Sequence, residues 1–195
     1  MKKTFTKKIF TAKLFISDLG YLIWHSPKII KVFTAKQHHQ HLIEKILIVT
    51  DAVNECGYCS WLDAKLALRS GVSEAEIKNM LNLQFHTHAS ENEMLALLYA
   101  QHYAESNRKP DPGMTGKLFD YYGKSTANDI VLAIRMVTFG NLYFNTWGAI
   151  ISRFKGQPAE NSNVAFEIAY FLLNFIIILP FSILRKMDKK AIGNR

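Results

Sequence analysis

The chain has 195 residues, 49% of them hydrophobic and 21% charged, a composition that excludes a disordered chain and fits one folded domain. Its two cysteines exclude the disulfide framework of a small secreted domain and indicate a reducing compartment, where cysteine serves chemistry or metal binding. The formal net charge is +8, and the basic residues lie mainly near the two chain ends. The sequence has no nucleic-acid-binding motif. We therefore expect an anionic membrane surface and no nucleic acid as partner, or merely solvated ends.

The apolar pattern divides the sequence into three parts: a basic amphipathic N-terminal segment at 1–36, a helical domain at 37–160, and a hydrophobic C-terminal helix with a basic tail at 161–195. In the first part, apolar residues recur at helical spacing from Phe10 to Trp24, and the pattern is broken at Pro27. This pattern predicts a helix that lies either on a membrane or on the rest of the protein.

The central part shows no sustained strand alternation and is predicted to be all-helical. Helices are predicted at 37–55, 57–70, 74–83, from 91 to the breaker cluster at 107–113, at 114–122 and at 128–139, after which Gly140 and Gly148 interrupt the pattern. Ser73 with Glu76, and Ser90 with Glu93, have the capping-box spacing that begins a helix.

The C-terminal part contains the most apolar stretch of the chain, residues 164–184. A bilayer span needs roughly 20 mostly apolar residues, and Arg185 and Lys186 form a flank of the cytoplasmic type. This pattern predicts attachment at the cytoplasmic side of a membrane. The alternative is a buried terminal helix or an oligomer contact, because Glu167 and Asn174 share one helix face, which suits a helix that packs on protein.

The residues that indicate chemistry are Cys56 and Cys59, in the motif Cys-Gly-Tyr-Cys at the start of a predicted helix. Free cysteine has a pKa of roughly 8.5, which a helix N-terminus or a second nearby cysteine lowers. A spacing of three places both sulfurs on one helix face, within reach of a disulfide. One sulfur can then attack an oxidant or a disulfide while the other resolves the product.

Three other interpretations of this motif remain open from the residues alone. Two unreactive buried cysteines can have this spacing by chance. A zinc site would need two further ligands, for which His86 and His88 are candidates, although no second Cys-x-x-Cys is present. A thioredoxin-like site would require a βαβ pattern around the motif, and the sequence has none.

The stretch from Glu44 to Met80, about a fifth of the chain, carries a wider pattern. A glutamate, Glu44, lies twelve residues before Cys56; then come Asn54, the Cys-x-Tyr-Cys motif, Ala67-Leu68, Gly71 and Ser73-Glu74-x-Glu76. This stretch resembles the core of the alkyl hydroperoxidase D and carboxymuconolactone decarboxylase group. Residues 99–105 and 140–142 resemble a branch of the same group.

The resemblance implies an all-α, alkyl hydroperoxidase D-like helical bundle, here with an extra hydrophobic C-terminal helix. It implies an antioxidant thiol-dependent peroxidase or disulfide reductase in which Cys59 attacks, Cys56 resolves and Glu44 relays protons. The substrate would be a hydroperoxide or a disulfide, the reductant a dithiol, and the assembly a homo-oligomer, with no cofactor and no metal. Decarboxylation is not expected, because the lactone-decarboxylating members generally lack the cysteine pair.

Two observations qualify this expectation. A carboxylate within an apolar stripe, as at Glu44, indicates either a function or a salt bridge. The family has a histidine four residues after the second cysteine, where this chain has Asp63, whose negative charge would disfavour a thiolate at Cys59. His86, His88 or His102 are candidates to replace that histidine, whereas His38, His39 and His41 are predicted to be surface residues. The alternative function is therefore a membrane-associated oligomeric or partner-binding protein of the same fold with little or no turnover.

Overall fold

The computed structural model describes residues 5–34, 40–87, 89–160 and 162–175. Its helices are α1 (Ala12–Trp24), α2 (Ser26–Thr34), α3 (Gln40–Val53), α4 (Gly57–Ser70), α5 (Glu74–Leu81), α6 (Glu91–Glu105), α7 (Pro112–Phe154) and α8 (residues 164–175), with a 3₁₀ turn at Phe85–Thr87. Across the described residues, the remaining regular pairing is one isolated parallel bridge between Phe5 and Ala159. The prediction of an all-helical fold is confirmed.

Helix α3 is the central element of the fold. It packs against α4, α5, α6 and α7, and nine of its 14 residues are buried, so it has no solvent-facing side over most of its length. Its side chains Ile46, Ile48 and Val49 are fully buried in the main core. The chain then reverses at residues 54–56, and α4 runs back antiparallel to α3, which places the cysteine motif at one end of this helical pair.

A buried lysine joins α3 to the starts of two neighbouring helices. Lys45 Nζ lies 2.8 Å from Glu76 Oε1 and 2.8 Å from Glu93 Oε1. The same two glutamates close the capping boxes with Ser73 and Ser90, as their spacing predicts. Each carboxylate therefore caps a helix N-terminus and also forms an ion pair with Lys45. These contacts fix α5 and α6 against the central helix.

Helix α7 consists of two helical segments that meet at Gly123, in agreement with the separate helices predicted at 114–122 and 128–139, and its second segment is longer than the sequence pattern predicts. The expected interruptions at Gly140 and Gly148 are wrong, because both glycines lie inside a continuous helix. The backbone departs from helical geometry at Gly123, whose φ of 72° lies in the left-handed region that glycine adopts without a steric penalty. At Gly148 a Cβ atom would lie 3.5 Å from the ring of Phe5, an ordinary van der Waals distance, so the N-terminal segment packs directly on α7 at this residue.

The N-terminal segment and α8 form a second core on the outer side of α7. Phe10 and Tyr170 are almost fully buried there together with Leu142 and Ile150. The backbone N–H of Phe10 donates to Thr146 Oγ1 over 2.9 Å, which fixes the N-terminal segment on α7.

Helix α8 packs on α7 through its polar side chains. Glu167 is buried and accepts from Arg153 Nε at 2.5 Å, and Asn174 is buried and accepts from Tyr143 at 2.9 Å. No helix in the described part of the chain is both long enough and apolar enough to cross a membrane. The predicted apolar span at 164–184 extends beyond those residues, because positions 176–195 lie outside them.

Candidate redox site

The two cysteines are joined by a disulfide at the start of α4, with their Cα atoms 5.3 Å apart. Cys56 is the N-cap residue of the helix, and its Sγ accepts the backbone N–H of Cys59 at 3.3 Å. Both residues are buried, with 1% and 6% of their surface exposed. The sulfur of Cys56 therefore occupies the position at which a side-chain oxygen usually caps a helix, among backbone N–H groups that carry partial positive charge.

A small cavity of about 200 Å³ opens at Cys56. It is bounded by the N-terminal segment on one side and α7 on the other, and its walls include Phe5, Lys7, Gly57, Tyr58, Phe144, Asn145 and Gly148. Lys7 Nζ donates to the carbonyl oxygen of Glu55 at 2.7 Å, directly before the first cysteine. A lysine and an aromatic residue of the N-terminal segment thus form part of the cavity wall at the disulfide.

Aromatic rings enclose the other side of the disulfide. Tyr58 stacks on Phe144 with ring centroids 4.1 Å apart, and Trp61 lies 5.5 Å from Tyr58. The two cysteines and these three rings form one apolar cluster together with Leu62. This surrounding keeps bulk water away from the sulfur atoms.

Two aspartates lie next to the motif and within hydrogen-bonding reach of each other. Asp51, in the last turn of α3, is fully buried, and its Oδ2 has no hydrogen-bond donor among the described residues. Asp63 lies on α4, one turn after Cys59. Burial raises the pKa of Asp63 to about 6, and burial together with the charge of Asp63 raises the pKa of Asp51 well above its usual range. Each carboxylate therefore disfavours ionisation of the other.

A chain of buried amides connects this carboxylate pair to α7. Asn141 Nδ2 donates to Asp51 Oδ1 at 2.6 Å, and Asn54 Nδ2 donates to Asn141 Oδ1 at 2.9 Å. Asn145 Nδ2 donates to the carbonyl oxygen of Asn54 at 2.9 Å and also lines the cavity at Cys56. The turn that carries the first cysteine is thereby held between α3 and α7.

Glu44 lies at the other end of the α3–α4 pair. Its Oε1 accepts from Gln40 at 3.3 Å, and its Oε2 accepts from the hydroxyl of Ser70. Ser70 is eleven residues beyond Cys59 on α4, roughly 16 Å along the axis at 1.5 Å per residue. The antiparallel arrangement of the two helices causes this separation. Glu44 and Asp63 line one cavity of about 380 Å³, and the cysteines are not part of its walls.

The histidines considered from the sequence lie elsewhere. His102 Nε2 accepts the backbone N–H of Asp111 at 3.0 Å, His41 is exposed against the carbonyl oxygen of Ser70, and His86 is exposed and stacks on Phe85. His38, His39 and His88 lie outside the described residues. Among the residues that the structure describes, no three histidine, cysteine or acidic side chains come together as a metal site would require.

Comparison of the sequence with models of known protein families gives no match, and comparison with curated proteins gives no match either.

Asp51 and Asn145 are the site residues that sequence reasoning missed. Asp51 is a carboxylate in the apolar stripe of α3, the same signal that singled out Glu44, and it is five residues from Cys56 rather than twelve. Only the antiparallel register of α3 and α4 decides which of the two carboxylates lies at the end of the helical pair that carries the cysteines. Asn145 has no comparable signal, because 91 residues separate it from its partner Asn54.

Proposed function

We propose that this chain is a thiol-dependent peroxidase or disulfide reductase with an alkyl hydroperoxidase D-like helical fold, and that Cys56 and Cys59 are its redox centre. The observation that supports the proposal is the disulfide at the N-terminus of α4, with Cys56 at the wall of a cavity. Helix N-termini favour thiolates, which are the reactive form of cysteine.

The reaction is a two-electron exchange at the sulfur pair. The reduced dithiol gives up two electrons and two protons as its disulfide forms, which converts a hydroperoxide to an alcohol and water, or a disulfide to two thiols. An external dithiol then reduces the Cys56–Cys59 bond, completing the cycle. The buried amides behind the turn hold the backbone of the motif in place through these changes.

The proposal is tested by dithiol-dependent turnover of hydroperoxides and of low-molecular-weight disulfides by the purified protein. We expect wild-type turnover, its loss in Cys56→Ser and in Cys59→Ser, and its retention in the matched control Ser60→Ala. Absence of turnover in the wild-type protein with every hydroperoxide and disulfide, or wild-type turnover in both cysteine variants, would contradict the proposal.

A second candidate function, a membrane-surface protein with little turnover, is favoured by one exposed apolar surface. On α1 the side chains of Ile16, Leu19, Ile23 and Trp24 are exposed, and on the neighbouring α8 those of Val164, Ile168, Leu172 and Leu173 are exposed. Ile16 and Leu173 also line a cavity of about 700 Å³ between the two helices. Clusters of exposed apolar side chains can mark interaction sites, and the net charge of +8 suits an anionic bilayer.

Sedimentation with phospholipid vesicles tests this candidate. We expect binding to vesicles that contain phosphatidylserine and weaker binding to neutral vesicles, with loss of binding in the double variant Ile16→Glu, Leu172→Glu. Leu68→Glu, at an exposed apolar residue of α4, is the control and should bind as the wild type does. Equal recovery of the wild type in the supernatant with and without vesicles would exclude the candidate.

A further inference from the structure

The two sulfurs of the redox pair have opposite electrostatic surroundings. Cys56 Sγ accepts a backbone N–H at the helix start and lines a cavity that Lys7 also lines. Cys59 lies one helical turn before Asp63, and Asp63 is paired with the buried Asp51. A backbone N–H and a cavity shared with a lysine thus lie on the side of Cys56, while Cys59 has an aspartate of the carboxylate pair one helical turn away.

We propose that Cys56 is the attacking thiolate and Cys59 the resolving thiol, whose proton passes to the Asp51–Asp63 pair. This inference rests on the proposed function, and it reverses the order of attack that the family resemblance implies. It also assigns a role to Asp51, a residue outside the pattern on which that resemblance depends.

Three features of Cys56 suit the attacking role. Its sulfur is the N-cap acceptor, so the helix dipole stabilises its negative charge. The ammonium group of Lys7 is fixed on the preceding residue, Glu55, and adds a full positive charge beside the same cavity. Cys56 is also the cysteine that reaches the cavity, and a substrate must approach the sulfur that it oxidises.

The surroundings of Cys59 suit a thiol that stays protonated until it is needed. A carboxylate one turn away disfavours a second negative charge at its sulfur. Asp51 Oδ2, buried and without a donor among the described residues, has a free acceptor site that a transferred proton can occupy. In the family pattern a histidine at position 63 would instead favour the thiolate at the second cysteine.

Among the described ion pairs none joins a cation to Asp51 or Asp63, and Arg69 lines the same cavity as Asp63. Helix α7 presents the neutral Asn141 to Asp51, and its Arg135 lies on the ring of Tyr21, 3.3 Å from the ring centre. Helices α5 and α6 direct Glu76 and Glu93 to Lys45, nearly two turns of α3 away from Asp51. The carboxylate pair therefore keeps its affinity for a proton.

The steps balance as follows with an aromatic disulfide as substrate. The Cys56 thiolate attacks one substrate sulfur, forms a mixed disulfide and releases one aromatic thiolate. The Cys59 thiol gives its proton to the Asp51–Asp63 pair, and the resulting thiolate attacks Cys56 Sγ. This second attack forms the Cys56–Cys59 bond and releases the second aromatic thiolate. The protein has lost two electrons, and the substrate disulfide has gained them.

The order of attack is tested on the reduced full-length chain. Limited alkylation with iodoacetamide near neutral pH, followed by peptide mass spectrometry, should modify Cys56 at least about tenfold faster than Cys59, because reactivity follows the thiolate fraction. In the single-thiol variants, the ultraviolet absorbance of the thiolate should develop at a lower pH in Cys59→Ser than in Cys56→Ser. Faster alkylation of Cys59, or the opposite order of ionisation, would overturn the inference.

The role of the carboxylates is tested with 5,5′-dithiobis(2-nitrobenzoate), which releases one coloured thiolate on attack and one on resolution. Asp51→Asn and Asp63→Asn should slow the second release relative to the first by at least about tenfold and flatten its dependence on pH. The exposed Asp120→Asn is the matched control and should change neither release. An unchanged ratio of the two releases in both variants would overturn the role of the pair.

Failure of this inference and failure of the proposed function give different results. If Cys59 reacts first while hydroperoxide or disulfide turnover persists, the order proposed here is wrong and the redox function stands. If neither cysteine reacts faster than free cysteine and no substrate is turned over, both are wrong.

Discussion

The backbone N–H of Cys56 donates to the carbonyl oxygen of Asp51 over 3.1 Å. One hydrogen bond therefore joins the redox cysteine to the residue that carries the most buried carboxylate of the site. The Asp51 side chain is in turn held by Asn141 of α7. A substitution on α3, on the turn that carries Cys56, or on α7 should therefore have a measurable effect on the other two.

Asn141→Ala should destabilise the protein by about 2–3 kcal/mol, because it removes the partner of both Asp51 and Asn54 and leaves two buried polar groups without their hydrogen bonds. Urea denaturation measures this change in the free energy of unfolding. Asn82→Ala, at the exposed C-cap of α5, is the control, with an expected change within about 0.5 kcal/mol. Equal losses in the two variants would show that the amide chain adds no stability.

Stability should fall as the pH rises through about 6. The pKa of Asp63 is raised in the folded state from 3.8 to about 6, so its protonated form is favoured by folding. This contribution of Asp63 to the free energy of unfolding is complete below about pH 4 and lost above about pH 6, and it amounts to roughly 3 kcal/mol. Asp63→Asn should remove most of this dependence and make the protein more stable than the wild type at about pH 8. Unfolding curves at a series of pH values provide the measurement, and a variant with the wild-type pH profile would contradict the assignment.

Lys45→Met should weaken the attachment of α5 and α6 and reduce acid sensitivity. Hydrogen bonds from Lys45 and then Ser73 lower the pKa of Glu76 to about 2, so this carboxylate stabilises the fold above about pH 4.5 and loses that effect as the pH falls toward 2. The variant should be less stable at neutral pH by about 1–3 kcal/mol and should lose less stability on acidification. Lys28→Met, whose side chain is 43% exposed against Asp129, is the control, and its effect should stay below about 1 kcal/mol.

Phe10→Ala should both destabilise the protein and uncover the redox pair. Phe10 is 2% exposed and packs on Phe15 and Phe139, so its truncation should lower the free energy of unfolding by about 3–4 kcal/mol. The segment before it, which includes Phe5 and Lys7, forms one wall of the cavity at Cys56. Alkylation of the reduced cysteines should therefore be faster in the variant under native conditions. Phe33→Ala, at a residue 38% exposed, should leave the alkylation rate as it is in the wild type.

The helix starts were predictable from the sequence because capping is local. Ser73 with Glu76, and Ser90 with Glu93, form the expected capping boxes, and Gly71 ends α4 in the left-handed conformation that its position suggests. The continuity of α7 through Gly140 and Gly148 was not predictable in this way. A glycine inside a helix is unfavourable by only about 1 kcal/mol, which packing can offset, as at Gly148 beneath Phe5.

The candidate site was predictable only in its cysteines. Cys56 and Cys59 were predictable because their spacing and their position at a helix start depend only on a short stretch of sequence. The carboxylate beside them depends on how α3 and α4 align, and sequence reasoning selected Glu44 where the structure places Asp51 next to the turn. Phe5 and Asn145 reach the site through contacts between distant parts of the chain, for which the sequence gives no local signal.

The amide chain behind the turn has a consequence for biosynthesis. Asn54 is translated 87 residues before its partner Asn141, so the cysteines leave the ribosome long before α7 exists to bury them. Until α7 is made, both thiols and the Asp51 carboxylate are exposed to solvent and to other nascent chains. Truncated or stalled translation products should therefore be the form of this protein most prone to intermolecular disulfide crosslinking, and their capture would require a thiol-blocking agent added during synthesis.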